Sequence, residues 1–276
     1  MTQTVLITGA SSGIGQAAAR LFAQKGWNVV ATMRDPARGA PLAKLERVFV
    51  TRLDVQHRET IVAAVEAGIQ RFGKIDALVN NAGYGQYGLF ESVSRDKVQE
   101  QFDVNVFGVM DVTRAILPQF RRHKRGIVIN VSSGAGLFTL PMISLYCASK
   151  FALEGFSEAI SYELASQSIA VKLVIPHGGV NSTQFNERSA QSRDGVVPIA
   201  GYDEFVKRTN EAFAGMSAAR TISSDDVAKA IFEAATDGTD RLRYLVGNDT
   251  RGFVKARREM ADQEYVNFMR GQFRKK

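Results

Sequence analysis

Short apolar runs alternate with amphipathic stretches along most of the 276-residue chain. Runs of strand length are TVLITG (4–9), NVVATM (28–33), RVFVTRLDV (47–55), IDALVNNAG (75–83), GIVINVSS (126–133), IAVKLVIP (169–176) and RYLVG (243–247). Between them, 14–25, 58–72, 96–122, 146–166 and 224–236 carry apolar residues at helical spacing. The strand runs are apolar throughout rather than alternating, which suits strands buried on both faces. Such alternation of strand and helix predicts right-handed βαβ units and a parallel sheet. No repeat, low-complexity segment or Pro/Gly/Ser-rich linker divides the chain. The expected fold class is α/β, a single-domain Rossmann-type doubly wound parallel sheet over residues 1–250, with strand order 3-2-1-4-5-6-7 by fold analogy. Residues 177–222 break the alternation, and a long irregular stretch in such a domain predicts a substrate loop or lid. Residues 251–276 predict a basic C-terminal helical extension, packed on the domain through Phe253, Val254, Val266, Phe268, Met269 and Phe273.

Composition narrows this picture. Hydrophobic residues at 45% and charged residues at 23% exclude a disordered chain. No apolar run is long enough to cross a bilayer, and no basic segment with a cleavage site precedes the first strand. The single cysteine, Cys147, excludes an intrachain disulfide and makes a reducing, cytoplasmic setting the expectation. The net charge of +7 is concentrated: residues 251–276 hold 8 Lys/Arg against 3 Asp/Glu, and the rest of the chain is nearly neutral. A solvated face on a terminal helix explains this better than a nucleic-acid or membrane partner, and neither partner is expected.

The first chemical signal is TGASSGIG, residues 8–15, between the first strand and the first helix. Gly9 allows a tight turn, Gly13 lets backbone approach a pyrophosphate, and Gly15 lets the helix lie close to the sheet. A helix N-terminus placed there offers free N–H groups and the positive end of its dipole to an anion. The second signal is Tyr146, four residues before Lys150 in LYCASKFALEG. On a helix the two share a face, and an ammonium beside a phenol favours the phenolate, so the pair could pass a proton.

TGxxxGIG, NNAG at 80–83, Asn105, Ser133 and Tyr146-x-x-x-Lys150 occur in the order and at the spacings of the short-chain dehydrogenase/reductase family. The chain resembles that family closely over residues 2–183 and by layout to about 250, in the branch that holds hydroxysteroid and retinol dehydrogenases. The resemblance implies reversible hydride transfer between a nicotinamide and a carbonyl or alcohol carbon. It implies Tyr146 as general acid and base, Lys150 as the group that depresses the tyrosine pKa and holds the nicotinamide ribose, and Ser133 as hydrogen-bond donor to the substrate oxygen. Asn105 resembles a residue that holds a water in a proton relay to the lysine. Ser11, Ser12 and Ile14 join the three glycines in the expected cofactor set. Asn80, Asn81, Ala82, Gly83, Asp54 and Val55 resemble the adenosine side, where a strand-end Asp54 capping the next helix is the plainer reading.

Two features depart from the family pattern or choose within it. After strand six the text is IPHGGVNSTQF, with His177 where glycine is expected. Pro176, Gly178, Val180 and Thr183 are the residues expected beside the nicotinamide, with Ser182 as an alternative for the carboxamide. His177 either titrates there or turns outward on a bulged loop. At the end of strand two, NAD-specific relatives carry an acid at the position that Met33 fills here, and Arg34 follows. A guanidinium can fork onto a 2′-phosphate, and Ser12 could reach the same group, so NADP(H) is the expected cofactor. Asp35 is the residue that would favour NAD after a small shift of register. No Cys/His cluster suggests a metal, His57 and His123 lie in charged stretches, and Cys147 reads as a small packing residue. Tyr84, Phe90, Leu137, Phe138, Met142 and Phe185 suggest an apolar cleft without an arginine clamp. The chain is thus expected to be an NADPH-dependent reductase of an apolar ketone or aldehyde, a homodimer or homotetramer through 96–122 and 146–166. The alternatives are an NADP-dependent alcohol or hydroxysteroid dehydrogenase working in oxidation, and a dinucleotide-sensing protein without turnover.

Overall fold

The computed structural model describes residues 2–177, 179–180, 199–218, 222–249 and 251–274. Strands β1 (Thr4–Ile7), β2 (Asn28–Met33), β3 (Val48–Arg52), β4 (Ala77–Asn80), β5 (Gly126–Val131), β6 (Ile169–Pro176) and β7 (Arg243–Val246) form one parallel sheet. Their order is β3-β2-β1-β4-β5-β6-β7, as expected by fold analogy. Helices α1 (Gly13–Gln24), α2 (Ala40–Ala43), α3 (Arg58–Phe72), α4 (Arg95–Phe102), α5 (Gly108–His123), α6 (Ser144–Ala165), α7 (Asp203–Ala218), α8 (Ser224–Thr236), α9 (Phe253–Glu259) and α10 (Asp262–Gly271) surround it.

The continuous apolar strands are explained by cores on both faces. Val5 and Ile7 of β1 join Phe22, Trp27 and Ile231 in one core under α1 and α8. Leu6, between them, points the other way and joins Ile61, Ile116 and Phe120 under α3 and α5. Successive side chains alternate faces in a strand, so both faces must be apolar when both are covered.

Three stretches differ from the expected elements. The helix expected over 96–122 is two helices joined by a π-helical turn, Asp103–Phe107, which carries Asn105. Such turns re-aim the backbone within a helix and often mark a functional site. Within 177–222, taken as irregular, residues 203–218 form α7. Its inner face holds fully buried Thr209 and half-buried Phe213, and the Phe213 ring meets Tyr87 and Phe273 edge-on. It covers loops rather than the sheet, so the strand–helix alternation gave no sign of it. Most of the rest of that stretch, 181–198 and 219–221, lies outside the described residues.

The C-terminal extension is helical but broken. Met260 and Ala261 are extended between α9 and α10. The two helices fold on each other around Phe253, Val254, Tyr265 and Met269, and Phe138 joins them from the segment before α6. The Phe138 and Phe253 rings meet edge-to-face at 5.3 Å.

At the β6–β7 edge a charge is buried. The Lys172 ammonium donates to the Thr239 carbonyl and to the Tyr244 hydroxyl at 3.0 Å, and lies 3.4 Å from Asp237. Burial opposes the Asp237 carboxylate, yet hydrogen bonds from Tyr244 at 2.5 Å and Thr239, with the Lys172 charge, hold its pKa at about 2. A depressed carboxylate pKa stabilises the fold above the unfolded value and loses that contribution as pH falls through the folded one. Asp237 is exposed at residue level, so solvent screens much of this shift, and Asp237→Asn should cost about 1 kcal/mol at pH 7. The difference between variant and wild type should shrink to nothing between pH 4 and 2. Urea unfolding of both proteins at pH 7 and pH 3 measures it, and an equal cost at both values would show that Asp237 does not act through its charge.

Candidate active site

With both sheet faces covered, the open edge is the one at the strands' C-terminal ends. The glycine turn lies there. Gly9 and Gly13 have φ of +69° and +55°. A Cβ on Gly9 would lie 2.9 Å from the Ala82 Cα, and one on Gly15 would lie 2.4 Å from the Gly9 carbonyl oxygen. Neither position admits a side chain, because α1 is drawn against the turn and the turn against β4. Thr8 fastens this contact: its hydroxyl accepts from the Asn81 and Ala82 N–H groups at 3.0 Å each. The Asn81 amide donates to the Thr8 and Gly9 carbonyls at 2.9 and 3.2 Å. Ser12 is the N-cap of α1 and makes no side-chain cap, so the N–H groups of Gly13, Ile14 and Gly15 face outward from the first turn. The Ser11 carbonyl accepts from Gln16, and Ile14 packs into the core. A cradle with no room for a Cβ and a row of outward N–H groups fits a dinucleotide pyrophosphate.

The Ala10 N–H donates to the Thr32 carbonyl at 2.9 Å, which seats the turn against the end of β2. Arg34, two residues past Thr32, is exposed beside it. Met33 is a correction to the sequence reading, in which position 33 faces the ribose. Its side chain is buried and packs over Gly39, within 3.0 Å of a Cβ built there. Asp35 does not turn to the ribose either: its carboxylate accepts from the Ala37 N–H at 3.0 Å and caps the turn Pro36–Gly39. Asp54 spends one oxygen on the Gln56 N–H at 3.2 Å within its own turn, and does not cap the next helix, whose N-cap is His57. The Val55 side chain packs against Gly108 in the core.

Across the cleft, α6 carries the catalytic candidates. Ser133, just past β5, and Tyr146 are hydrogen-bonded to each other. One turn on, Lys150 is buried and donates to the Val131 carbonyl at 2.9 Å, with its nitrogen 5.8 Å from the Tyr146 ring centre. The expected depression of the tyrosine is not found in the free protein. Burial raises Tyr146 to about 12, against a lowering by the Ser133 hydrogen bond. Burial also lowers Lys150 to about 8, against the nearby Glu154. Desolvation disfavours whichever form carries charge, so it moves phenol and ammonium in opposite directions. At this separation it outweighs their attraction.

Asn105, in the π-helical turn, is wholly buried. Its Oδ1 accepts from the Tyr84 N–H at 3.1 Å, and its amide donates to the Tyr84 carbonyl and the Ser149 hydroxyl at 2.9 and 3.1 Å. The side chain is thus a clamp on the 83–84 backbone, with Gly83 against it and near Lys150. Asn80, below, bonds Thr113 and Asn130. Thr8, Gln101 and Ser149, unmarked in the sequence reading, hold these loops through partners distant in the chain.

The remaining candidates are scattered. Pro176 ends β6 opposite Val246, and Val180 bridges Ile222. Gly178, Ser182, Thr183 and Phe185 lie outside the described residues. His177 turns inward, only 6% exposed, and not outward on a bulge. Gly134 and Gly247 make room for it: a Cβ on Gly134 would lie 2.9 Å from the His177 Cβ, and one on Gly247 would lie 3.1 Å from its Nδ1. Of the expected cleft wall, Phe138 belongs to the C-terminal core and Phe90 is 67% exposed. Met142 is buried with φ +58°, and its sulfur accepts from the Tyr87 hydroxyl, which also lies 2.6 Å from Asn210 on α7.

The profile of the short chain dehydrogenase family matches residues 3–194. An uncharacterized oxidoreductase of Schizosaccharomyces pombe is 36% identical over 234 residues, 85% of this chain and 96% of its own. Human retinol dehydrogenase 8 is 39% identical over 183 residues, 63% of this chain and 58% of its own. A short chain dehydrogenase/reductase from Burkholderia phymatum, solved in complex with NAD, superimposes with a TM-score of 0.81 at 26% identity, covering 94% of this chain and 93% of its own. A metagenomic short-chain oxidoreductase in complex with NADP gives 0.69 at 26% identity, covering 88% and 96%. On the match of sequence and of fold, the chain belongs to the short-chain dehydrogenase/reductase family of oxidoreductases, related within it to the retinol dehydrogenases.

Proposed function

We propose that the protein is an NADPH-dependent reductase of apolar ketones or aldehydes, working in the cytoplasm. The observation that carries this is the Ser133–Tyr146 hydrogen bond one helical turn from buried Lys150. Residues 1–250 are the catalytic domain in this reading, with 177–222 as its substrate loop and 251–276 as a packed extension. Exposed Phe107, Phe151 and Tyr162 on the π-helical turn and α6 support association through those helices. A monomer mass in solution would remove that support.

The dinucleotide is held by the Gly9–Gly15 cradle, the α1 N–H groups, Arg34 and Lys150. When bound, its reduced nicotinamide supplies the hydride. Tyr146 meets the substrate oxygen and gives up its proton as negative charge develops there. Ser133 donates a hydrogen bond to the same oxygen. The Lys150 cation favours the phenolate left behind. A phenol raised to about 12 is protonated at neutral pH, which supports the reductive direction, because reduction needs the acid in place before chemistry starts.

Tyr146→Phe removes only the proton donor and should lower kcat by about a hundred- to ten-thousandfold with cofactor affinity nearly unchanged. Turnover near wild type in this variant would sink the assignment.

The kcat/KM for the cofactor reports the free enzyme's groups, and Lys150 loses its charge near pH 8. The parameter should hold below that value and decline above it. In Lys150→Arg, which stays charged, the decline should disappear whatever the absolute rate. A profile for that variant that still bends near 8 would assign the limb to another group.

Arg34→Ala should weaken NADPH by about ten- to a hundredfold and leave NADH almost unchanged, since a charge-assisted phosphate contact contributes about 1.5–3 kcal/mol. Comparison of kcat/KM for both cofactors in the two proteins decides it. A wild type that uses NADH as well as NADPH refutes the preference. Met33→Asp is no useful partner to this test, because it would bury a carboxylate over Gly39.

A further inference from the structure

Glu154 is a buried carboxylate that the mechanism above does not use. It follows Lys150 on α6 at the spacing by which Lys150 follows Tyr146. Residues four apart share a helix face, so phenol, ammonium and carboxylate stand in successive turns of one helix. The turn Gly134–Gly136, whose N-cap is Ser133, closes over this row. A Cβ on Gly136 would lie 3.0 Å from the Glu154 Cγ and 3.1 Å from the Lys150 carbonyl oxygen. The loop that presents Ser133 thus packs directly on the stem of the carboxylate.

The two oxygens of Glu154 differ. Oε2 accepts from the Arg243 Nε at 2.9 Å, reaching α6 from the edge strand β7. Oε1 is buried and has no hydrogen-bond partner among the described residues. A plain tie between α6 and β7 does not need this arrangement. Half-exposed Glu158, one turn on, already gives Arg243 a carboxylate at 2.5 Å without burying one. A buried carboxylate oxygen left bare is unfavourable unless its charge serves another group.

The group it faces is Lys150. On α6 the titratable neighbours of the lysine are Tyr146, Cys147 and Glu154, with Arg243 behind Glu154. From β5 and its end come the Val131 carbonyl and the hydroxyls of Ser132 and Ser133, and from the other side come Gly83 and the Asn105 amide. Asp103, in the same π-helical turn as Asn105, is bonded to Gln99, and His177 packs against Gly134. We propose that Glu154 is a positioning residue for hydride transfer, whose carboxylate, oriented by Arg243, holds Lys150 as a cation at neutral pH. This role rests on the reading of Lys150 as the charged group beside the phenol and the nicotinamide ribose. Burial lowers the lysine to about 8, and the Glu154 charge opposes that fall. Without it, desolvation alone would act, and the ammonium would lose its proton in the range where the enzyme works.

A carbon-13 NMR titration of lysine Cε signals in the free full-length protein tests this without turnover, with Lys150→Arg assigning the Lys150 signal. In the near-isosteric Glu154→Gln the lysine should titrate about one pH unit or more below wild type. Glu154→Asp should stay near wild type, and thermal melting shows that each variant is folded. Arg243→Gln breaks the same ion pair but keeps the carboxylate and removes a cation, so the lysine should titrate higher. The alkaline decline in kcat/KM for the cofactor should move with the titration, to lower pH in Glu154→Gln and to higher pH in Arg243→Gln. A merely structural tie would be broken in both variants and would move both the same way, and that result overturns the proposal. An unshifted titration in Glu154→Gln, beside a rate profile that still depends on Lys150, overturns the role of Glu154 alone. A shifted titration with an unshifted profile overturns the reading of Lys150, and the positioning role with it.

Discussion

The rest of the structure depends on a sheet covered on both faces. Its ladder satisfies the strands' backbone groups, and its side chains alternate into two separate cores. Ligand chemistry is thereby confined to the rim, and parallel strands bring all their C-terminal ends to one side of it. Thr8 and Gly9 follow β1, Arg34 follows β2, Asp54 follows β3, Asn81 follows β4, Ser133 follows β5, and His177 follows β6. Residues more than a hundred positions apart thus share one edge without any helix having to deliver them there, except for the pair on α6.

The same burial that stabilises the fold sets the charge states at that edge. Tyr146 and Lys150 are both taken out of water, so a phenol and an ammonium that differ by half a unit in their ordinary values are driven apart to about 12 and about 8. Neither shift comes from the other partner in the free protein. The Asn105 clamp holds the 83–84 backbone beside Lys150, so the opening around the lysine is fixed by a buried amide with every polar atom engaged. Attraction between the pair is thus a secondary effect here, and solvent exclusion is the primary one.

The terminal extension also belongs to this edge. Phe253 meets Phe138 edge-to-face, and Tyr265 holds Thr139, so α9 and α10 brace the strap that leads into the Tyr146 helix. This places much of the chain's excess positive charge. Arg270 and Arg274 border an apolar trough rather than an open basic face, so the sum of charges in the tail says less about its role than their arrangement does.

Seven strands were legible because each is an unbroken apolar run between turn residues, and periodicity is a property of neighbours in the chain. The glycine turn and the Tyr146–Lys150 pair were legible for the same reason: their geometry follows from one turn or one helix. The inward side chain of Met33, the capping carboxylate of Asp35 and the buried ring of His177 were not. Met33 turns in because Gly39 leaves space for it, and His177 because Gly134 and Gly247 do. Thr8 meets Asn81 across 73 positions, Asn105 meets Ser149 across 44, and Tyr87 meets Asn210 across 123. Helix α7 escaped notice because it packs on loops, outside the strand–helix rhythm of the sheet. The chain by itself determined the elements, their order and the chemistry available. Tertiary packing decided which of those groups lose water, and with that the direction of the Tyr146 and Lys150 shifts, because desolvation is fixed by neighbours far away in sequence.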